Sequence, residues 1–501
     1  MSIYQHIDRL VAYALAHQLI EAQDKIWAVN QLLAILQLTD YTPSGKVKTP
    51  KSAAEALTPI CDWAAAQGLI NPDTITQRDL FDTKLMNVFT ARPSEVNAEF
   101  AVLYQTQGPQ AATDKFYHDA RALNYIRTDR VAKNVVWKSP CEYGDLDITI
   151  NMSKPEKDPK DIAAALQVQK SGYPQCLLCK ENEGYGGNAA HPARQNLRLI
   201  ELDLLKDGQK WYLQYSPYVY YNEHSILLSG RHEPMKISKK TFERLLAFVD
   251  ILPHYFIGSN ADLPIVGGSI LTHDHFQAGR YSFAMEKAPA ETKFKIKKFP
   301  KVKAAVVRWP MSVIRLNGTQ KDLAAAADYV LKKWRNYSDP QAGIVAFTKS
   351  TPHNTITPIA RRRGKTFELD LVLRNNRTDA TFPQGIFHPH PEIHHIKREN
   401  IGLIEVMGLA VLPARLTAEM KALAPLLIAK NVKAIYKDEM LQKHAPWAEM
   451  LLQKYRFTAK NTTAILKKEI GLAFATALEH AGVYKRTPEG KEAFARFIAK
   501  L

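Results

Sequence analysis

Cysteine is scarce in this chain. Only Cys61, Cys141, Cys176 and Cys179 occur among 501 residues, too few for a disulfide scaffold. Long apolar runs are missing as well. No stretch approaches the ~18 uninterrupted apolar residues expected of a membrane span. The longest candidate, IGLIEVMGLAVLPA from Ile401, is broken by Glu405 and ends at Pro413. The N-terminus, MSIYQHIDRLVAYALAHQ, has no basic segment ahead of an apolar one, so a secretory leader is not expected. Acidic residues fall short of basic ones, 50 against 67, leaving a formal charge of +17. These shortages point to a cytoplasmic protein with anionic partners: nucleic acid, a membrane surface or small phosphates. With 46% apolar and 23% charged residues, disordered, collagen-like and coiled-coil readings are excluded. At about 150 residues per domain the length allows roughly three domains.

Residues 1 to about 135 read as mainly helical. Ile3, Ile7, Leu10, Val11 and Ala14 share one helical face, and Ile26, Val29, Leu32, Leu33 and Leu36 another, with Asp24 as a candidate cap. The stretch 38–50 carries Pro, Gly and Ser and separates two helices. From about Asp145 the period changes: DLDITINM alternates Leu146, Ile148, Ile150 and Met152 on one face, a strand pattern. SKPEKDPKDIAAALQ reads as a turn and helix. LRLIELDL, KWYLQYSPYVYY, SILLSG, FKIKKF, AAVVRW and SVIRL read as strands. A helix follows Lys236, with Ile237, Phe242, Leu245, Leu246, Val249 and Leu252 as its stripe. A second helix-and-strand stretch runs from Asp322, and the chain beyond Leu416 is helical again. The order predicts an α+β fold rather than a doubly wound parallel sheet.

Histidine carries the chemistry. In THDHFQ (272–277), an extended backbone puts His273, His275 and Gln277 on one face. A neutral imidazole is a nucleophile near neutral pH, and a Gln N–H can bond an oxygen of a phosphorus centre under attack. Upstream, GSNADLPIVGGS offers Gly267, Gly268 and Ser269, whose backbone can approach a phosphate closely. The alternative is an edge strand with exposed histidines. Cys176-Leu-Leu-Cys179 is half a zinc site or a redox pair, and His232 and His273 are candidates to complete a tetrahedral set. Otherwise the two cysteines are small buried hydrophobes. FHPHPEIHHIKREN suits a metal, sugar hydroxyls or phosphate. Arg361, Arg362, Arg363 and Lys365 form either a phosphate contact or a solvated face.

Taken together, YYNEHSILLSGRHEPM, NADLPIVGGSILTHDHFQAGRY, TPHNTITPIARRRGKTFELDLVLRNN and HPHPEIHHIKRENIGLIEVMGLAVLPARL resemble galactose-1-phosphate uridylyltransferases, of the second bacterial class with a long helical extension. The resemblance spans essentially the whole chain. It implies two histidine-triad-like halves of mixed sheet and helix, with a helical N-terminal extension and C-terminal tail: 1–140, 141–318, 319–430 and 431–501. It implies exchange of UMP between UDP-glucose and galactose 1-phosphate by a ping-pong route through a uridylyl-histidine, as in the Leloir pathway. By resemblance His275 is the nucleophile, Gln277 stabilises the phosphate, and Asn260 contacts uridine. Gly268, Ser269, Arg361 and Arg362 are then expected at the substrate, with Lys154 or Lys157 as further phosphate contacts. The family's zinc set falls on Cys176, Cys179, His232 and His273, so a structural zinc is the expected cofactor. A second metal would draw on Glu286, His353, His388 and His390. Asp274 and Phe276 depart from the better-known class, which implies altered loop geometry around the same imidazoles.

Two other readings stand against this one. A shorter nucleotide hydrolase or phosphorylase of the same superfamily would release UMP without an acceptor sugar. A basic nucleic-acid-binding protein would use runs such as KFKIKKFPKVK (293–303), but their alternation is that of a half-buried strand, and no recognition helix or zinc-finger motif accompanies them. The expected partners are therefore UDP-sugars and hexose 1-phosphates, without nucleic acid or membrane, in a homodimer.

Overall fold

A computed structural model describes residues 1–152, 172–268 and 270–501. The SKPEKDPKDIAAALQ helix expected above lies outside the described residues, as do Lys154, Lys157 and Ser269. The architecture is mixed α+β with helical regions at both ends, as expected. The chain divides into two compact units. One comprises Met1–Lys133, the described part of Ser153–Glu233, and His273–Ala278; the other comprises Asn134–Met152, Pro234–Thr272 and Gly279–Leu501.

The strands, numbered along the chain, begin with β1 (Val135–Cys141), β2 (Gly144–Asn151), β3 (Ile200–Leu202), β4 (Trp211–Tyr215), β5 (Ser225–Ser229), β6 (Phe256–Gly258) and β7 (His275–Gly279). They continue with β8 (Ala290–Phe294), β9 (Lys303–Val307), β10 (Val313–Gly318), β11 (Phe347–Thr348), β12 (Thr351–Pro352), β13 (Asn354–Arg363), β14 (Thr366–Asn375) and β15 (Leu409–Pro413).

The first unit opens with helices Ile3–Ala16, Lys25–Ile35, Ala53–Ala66, Ile75–Asn87, Pro93–Gln107 and Pro109–Ala122. Ser2 starts the first: its Oγ accepts the Gln5 N–H and the Gln5 Oε1 accepts the Ser2 N–H, a reciprocal cap. The expected stripe of Ile7, Leu10, Val11 and Ala14 is buried against Val29, Leu32, Leu57 and Ile60. Each such Ile or Leu contributes about 1.5–3 kcal/mol relative to exposure. Ile26 departs from expectation: it is 75% exposed, because it falls in the first turn at the margin of the Val29–Leu32–Leu36 stripe. Gly108, at φ 94°, joins two helices at an angle that residues with a Cβ rarely adopt, and Pro109 begins the next helix. The strands of this unit run antiparallel in the order β3–β4–β5–β7.

The second unit holds the antiparallel run β6–β13–β14–β10–β9–β8. It also holds a separate sheet β1–β2–β15, in which β15 is parallel to β2. Leu146, Ile148 and Ile150 share a buried face, as the alternation predicts. Asp147, Thr149 and Asn151 between them are buried too, since β2 is central and Asp147 accepts the Tyr281 hydroxyl. Helices Lys239–Ile251 and Gln320–Arg335 bury the expected stripe of Phe242, Leu245, Leu246 and Val249, and Leu323, Ala327, Val330 and Leu331. The KFKIKKFPKVK run is strand only at its ends, in β8 and β9. Pro300, which has no N–H to donate, lies in the turn between. Helices Arg415–Ile428, Ala445–Lys454, Thr462–Ala481 and Pro488–Ile498 close the chain. Among the described residues, no helix is long and apolar enough to cross a membrane.

Candidate active site and metal centre

The register of β5 and β7 builds the site. His275 lies opposite Leu228, Phe276 opposite Leu227, Gln277 opposite Ile226 and Ala278 opposite Ser225. Alternation divides β7 between two environments. Phe276 and Ala278 face the core and are fully buried; the Phe276 ring stacks on Trp211 at 4.9 Å between centroids. His275 and Gln277 face the other way. His273 lies in the bend just before β7 rather than in it. That bend is held through Asp274, whose N–H donates to the Glu233 carbonyl (2.7 Å) and whose carbonyl accepts the Ser229 N–H (3.0 Å). Asp274 and Phe276 are thus a pinned backbone position and a core side chain.

Cys176, Cys179, His232 and His273 converge, with one donor atom from each lying within 4.8 Å of the others. The sulfurs are 3.6 Å apart. Nδ1 of His273 is 3.3 Å from the Cys176 Sγ and 3.7 Å from the Cys179 Sγ, and Nδ1 of His232 is 3.2 Å from the Cys179 Sγ. A tetrahedron with Zn–S of about 2.3 Å and Zn–N of about 2.0–2.1 Å has edges of about 3.3–3.8 Å. The donor set therefore fits zinc. The second nitrogen of His273 strengthens the fit: its Nε2–H donates to the Ser229 carbonyl at 2.9 Å, leaving Nδ1 as the ligand atom. Burial alone would raise the Cys176 thiol, but its close contact with the His273 ring holds it below its ordinary value. Burial pushes the Cys179 thiol up to about 11.

His275 is 7% exposed. Its Nδ1 lies 2.8 Å from the His273 carbonyl oxygen. A carbonyl only accepts, so the proton sits on Nδ1 and the lone pair on Nε2. Burial pushes the imidazole down to about 4, outweighing that hydrogen bond. Gln277 is half-buried, and its Oε1 is enclosed without a hydrogen-bond partner. His224, to which the sequence reading assigns no role, is 4% exposed, and both its ring nitrogens lack hydrogen-bond partners. Burial takes it down to about 3, with the neighbouring Gln277 side chain opposing that shift. Only the strand register, which a single sequence does not display, puts His224 beside this site.

The remaining predicted residues lie in the second unit. Asn260 is buried, its Oδ1 accepting the Leu403 N–H at 2.9 Å. A Cβ on Gly268 would come within 2.8 Å of the Asn260 Nδ2, so this glycine permits a close approach. Arg361 and Arg362, expected at a phosphate, are both placed in ion pairs. Arg361 is 4% exposed and bonds Glu368 (2.6 Å) and Asp370 (2.7 Å), and Arg315 joins the same carboxylates. Its guanidinium is committed within the β13–β14–β10 run. Arg362 pairs with Asp250 and lies over the Phe367 ring, and Arg363 pairs with Glu286 and Glu368.

The expected second metal set is not gathered. Glu286 is taken by Arg363, His353 bonds Asn376 and Thr348, and His388 bonds Asn400 and the Pro389 carbonyl. His390 instead meets Glu392 and His480. There the His480 Nδ1 accepts the His390 backbone N–H at 3.2 Å. The proton of the neutral ring then sits on Nε2, facing Glu392 at 3.2 Å. That tautomer has no lone pair left for a metal, so this trio reads as a hydrogen-bonded cluster.

Residues 18–234 match the family model described as galactose-1-phosphate uridyl transferase, N-terminal domain, and residues 248–449 match the C-terminal domain. Galactose-1-phosphate uridylyltransferase from Bacillus subtilis (strain 168) is 54% identical over 505 residues, covering 100% of this chain and 98% of that protein. The protein of the same name from Clostridium acetobutylicum is 54% identical over 498 residues, covering 99% of each. Among solved structures, that of a yeast Ap4A phosphorylase aligns at a TM-score of 0.31 with 12% identity, over 61% of this chain and 93% of that one.

Proposed function

The chain belongs to the galactose-1-phosphate uridyl transferase family, and from that premise we propose how its own residues transfer UMP from UDP-glucose to galactose 1-phosphate. The Nε2 lone pair of His275 attacks the α-phosphorus. The bond from that phosphorus to the bridging oxygen breaks, and glucose 1-phosphate departs with the electron pair. No base is needed, because the attacking nitrogen carries no proton. The uridylylated ring is cationic, and its Nδ1–H stays bonded to the His273 carbonyl, which stabilises the charge as it develops. Gln277 donates an amide N–H to a non-bridging oxygen. A phosphate oxygen of galactose 1-phosphate then attacks the same phosphorus and expels neutral His275, giving UDP-galactose.

Cys176, Cys179, His232 and His273 would hold a zinc ion, which would fix the segment carrying the His273 carbonyl. Asn260 and Gly268 serve the uridine end, with Ser269. The same reading divides the chain at 1–140, 141–318, 319–430 and 431–501, and takes it as a cytoplasmic homodimer.

The observation that carries this reading is the 2.8 Å bond from His275 Nδ1 to the His273 carbonyl, since it frees Nε2. Incubation with UDP-glucose labelled in uracil should leave label on His275, releasing one equivalent of glucose 1-phosphate before galactose 1-phosphate is added. A His275→Ala variant that kept full exchange would overturn it. Steady UMP release without galactose 1-phosphate would favour hydrolysis.

A further inference from the structure

The polar face of β7 does not end at His275 and Gln277. Gln277 lies opposite Ile226, so the two share a face. His224 precedes Ile226 by two residues and, where the chain enters β5, falls on that face too. His275, Gln277 and His224 therefore form one diagonal row across two strands, the geometry in which long side chains on neighbouring strands meet.

Three buried polar atoms on this row lack hydrogen-bond partners: both nitrogens of His224 and the Oε1 of Gln277. Such atoms are rarely left unpaired without a reason. The Gln277 side chain lies close enough to oppose the depression of the His224 imidazole. The His224 backbone is fixed, its N–H donating to the Tyr221 carbonyl (3.1 Å) and its carbonyl accepting the Ser216 N–H (2.7 Å). Tyr220 and Tyr221 pack on the imidazole at 5.3 and 4.6 Å between ring centroids. The Tyr221 hydroxyl in turn donates to the Ala278 carbonyl of β7 (3.1 Å). Glu223, just before, holds φ 53°, a conformation that non-glycine residues seldom take without a local purpose.

We propose that His224 is a positioning residue for Gln277: its ring N–H donates to the Gln277 Oε1 when substrate is bound, fixing the amide so that its NH2 faces the phosphorus under attack. An amide has two orientations of nearly equal shape. Only one of them presents donors to a developing oxyanion, and a neutral donor on Oε1 selects it. His224 stays neutral through the working pH range, so it supplies one N–H without adding a charge. The inference rests on the uridylyl-transfer reading.

The test measures single-turnover formation of the His275 adduct in His224→Phe, His224→Asn, Gln277→Ala and the double variant His224→Phe/Gln277→Ala. His224→Phe keeps bulk and removes the donor. It should slow adduct formation by about tenfold to a hundredfold with little change in KM, the range expected when a supporting group is lost. His224→Asn, which retains a donor, should recover part of the rate. The double variant should be no slower than Gln277→Ala alone within about twofold, because a residue acting through Gln277 has nothing left to position. Multiplying effects in the double variant, or a His224→Phe rate within twofold of wild type, would overturn the proposal. If His224→Phe does not fold, His224→Asn in the wild-type and Gln277→Ala backgrounds gives the same comparison. A wild-type protein that forms no adduct would fail the transfer reading itself; a normal wild-type adduct with an indifferent His224 would fail this inference alone.

Discussion

A single hydrogen bond decides what His275 can do. With its Nδ1 proton held by the His273 carbonyl, the ring presents Nε2 as a lone pair, and burial keeps it neutral down to about pH 4. Burial disfavours the protonated ring, so the neutral ring that the proposed transfer requires is present above that pKa and lost as pH falls through it. The acid limb of the UDP-glucose half-reaction should therefore lie near pH 4 rather than near the ordinary histidine value of about 6.5. A pH profile of burst-phase glucose 1-phosphate release checks this, and an acid limb near pH 6.5 would contradict it. The same depression bears on stability. Between about pH 6.5 and pH 4 the unfolded chain binds protons at His275 and His224 that the folded chain refuses. These residues thus make folding less favourable as pH drops through that window. The denaturant midpoint of His224→Phe should accordingly fall less between pH 7 and pH 5 than that of the wild type. The residue types and spacing of HDHFQ were legible in the sequence. The tautomer was not, because it depends on the bend that returns a carbonyl to the next imidazole.

At the scale of elements, the Cys2His2 cluster and a strand meet at the HDH segment. His273 offers Nδ1 toward the cysteines, Nε2–H to Ser229 and its carbonyl to His275, so one residue ties the cluster to His275. Cys176→Ser should bring bound zinc below one equivalent per chain by elemental analysis and lower Tm. It should also slow adduct formation even at temperatures where the variant stays folded. Retention of full activity by a metal-free variant would break the link. The core side of β7 is a separate matter. Phe276→Ala removes the ring stacked on Trp211 and should cost about 3–5 kcal/mol in unfolding experiments. The Cys2His2 set was legible because its residue types have few other uses together. The second cluster was less legible: His388, His390 and Arg361 bond Asn400, Ile386, Glu368 and Asp370, and such partners come from segments the local pattern does not connect. Ile26 shows the same limit in a helix, where period alone does not say how far a neighbour extends.

At the scale of the molecule, the surplus of +17 first suggests nucleic acid. The structure shows how much positive charge is neutralised internally: Arg315 and Arg361 by Asp370 and Glu368, Arg127 by Asp82, Arg496 by Asp339. Such pairs fix side chains and leave the net charge untouched, so the excess acts as a field rather than as a set of contacts. Composition and period made the α+β class and the helical ends legible. They did not show that the chain interleaves, with His273–Ala278 placed in the unit built from the N-terminal segments, because that depends on long-range pairing. The field has a consequence for the reaction. UDP-glucose and galactose 1-phosphate are both anions, and a positive field raises their encounter rate. Raising ionic strength from about 0.01 M to about 0.15 M shortens the Debye length from about 30 Å to about 8 Å. Over that range kcat/KM for both substrates should fall by roughly threefold to tenfold, while kcat, set inside the buried site, stays within about twofold. Steady-state kinetics in a neutral salt series, with equal ionic strengths reached by two different salts, separates screening from specific ion binding. A kcat/KM indifferent to ionic strength would mean that the surplus lies too far from the substrate path to steer it.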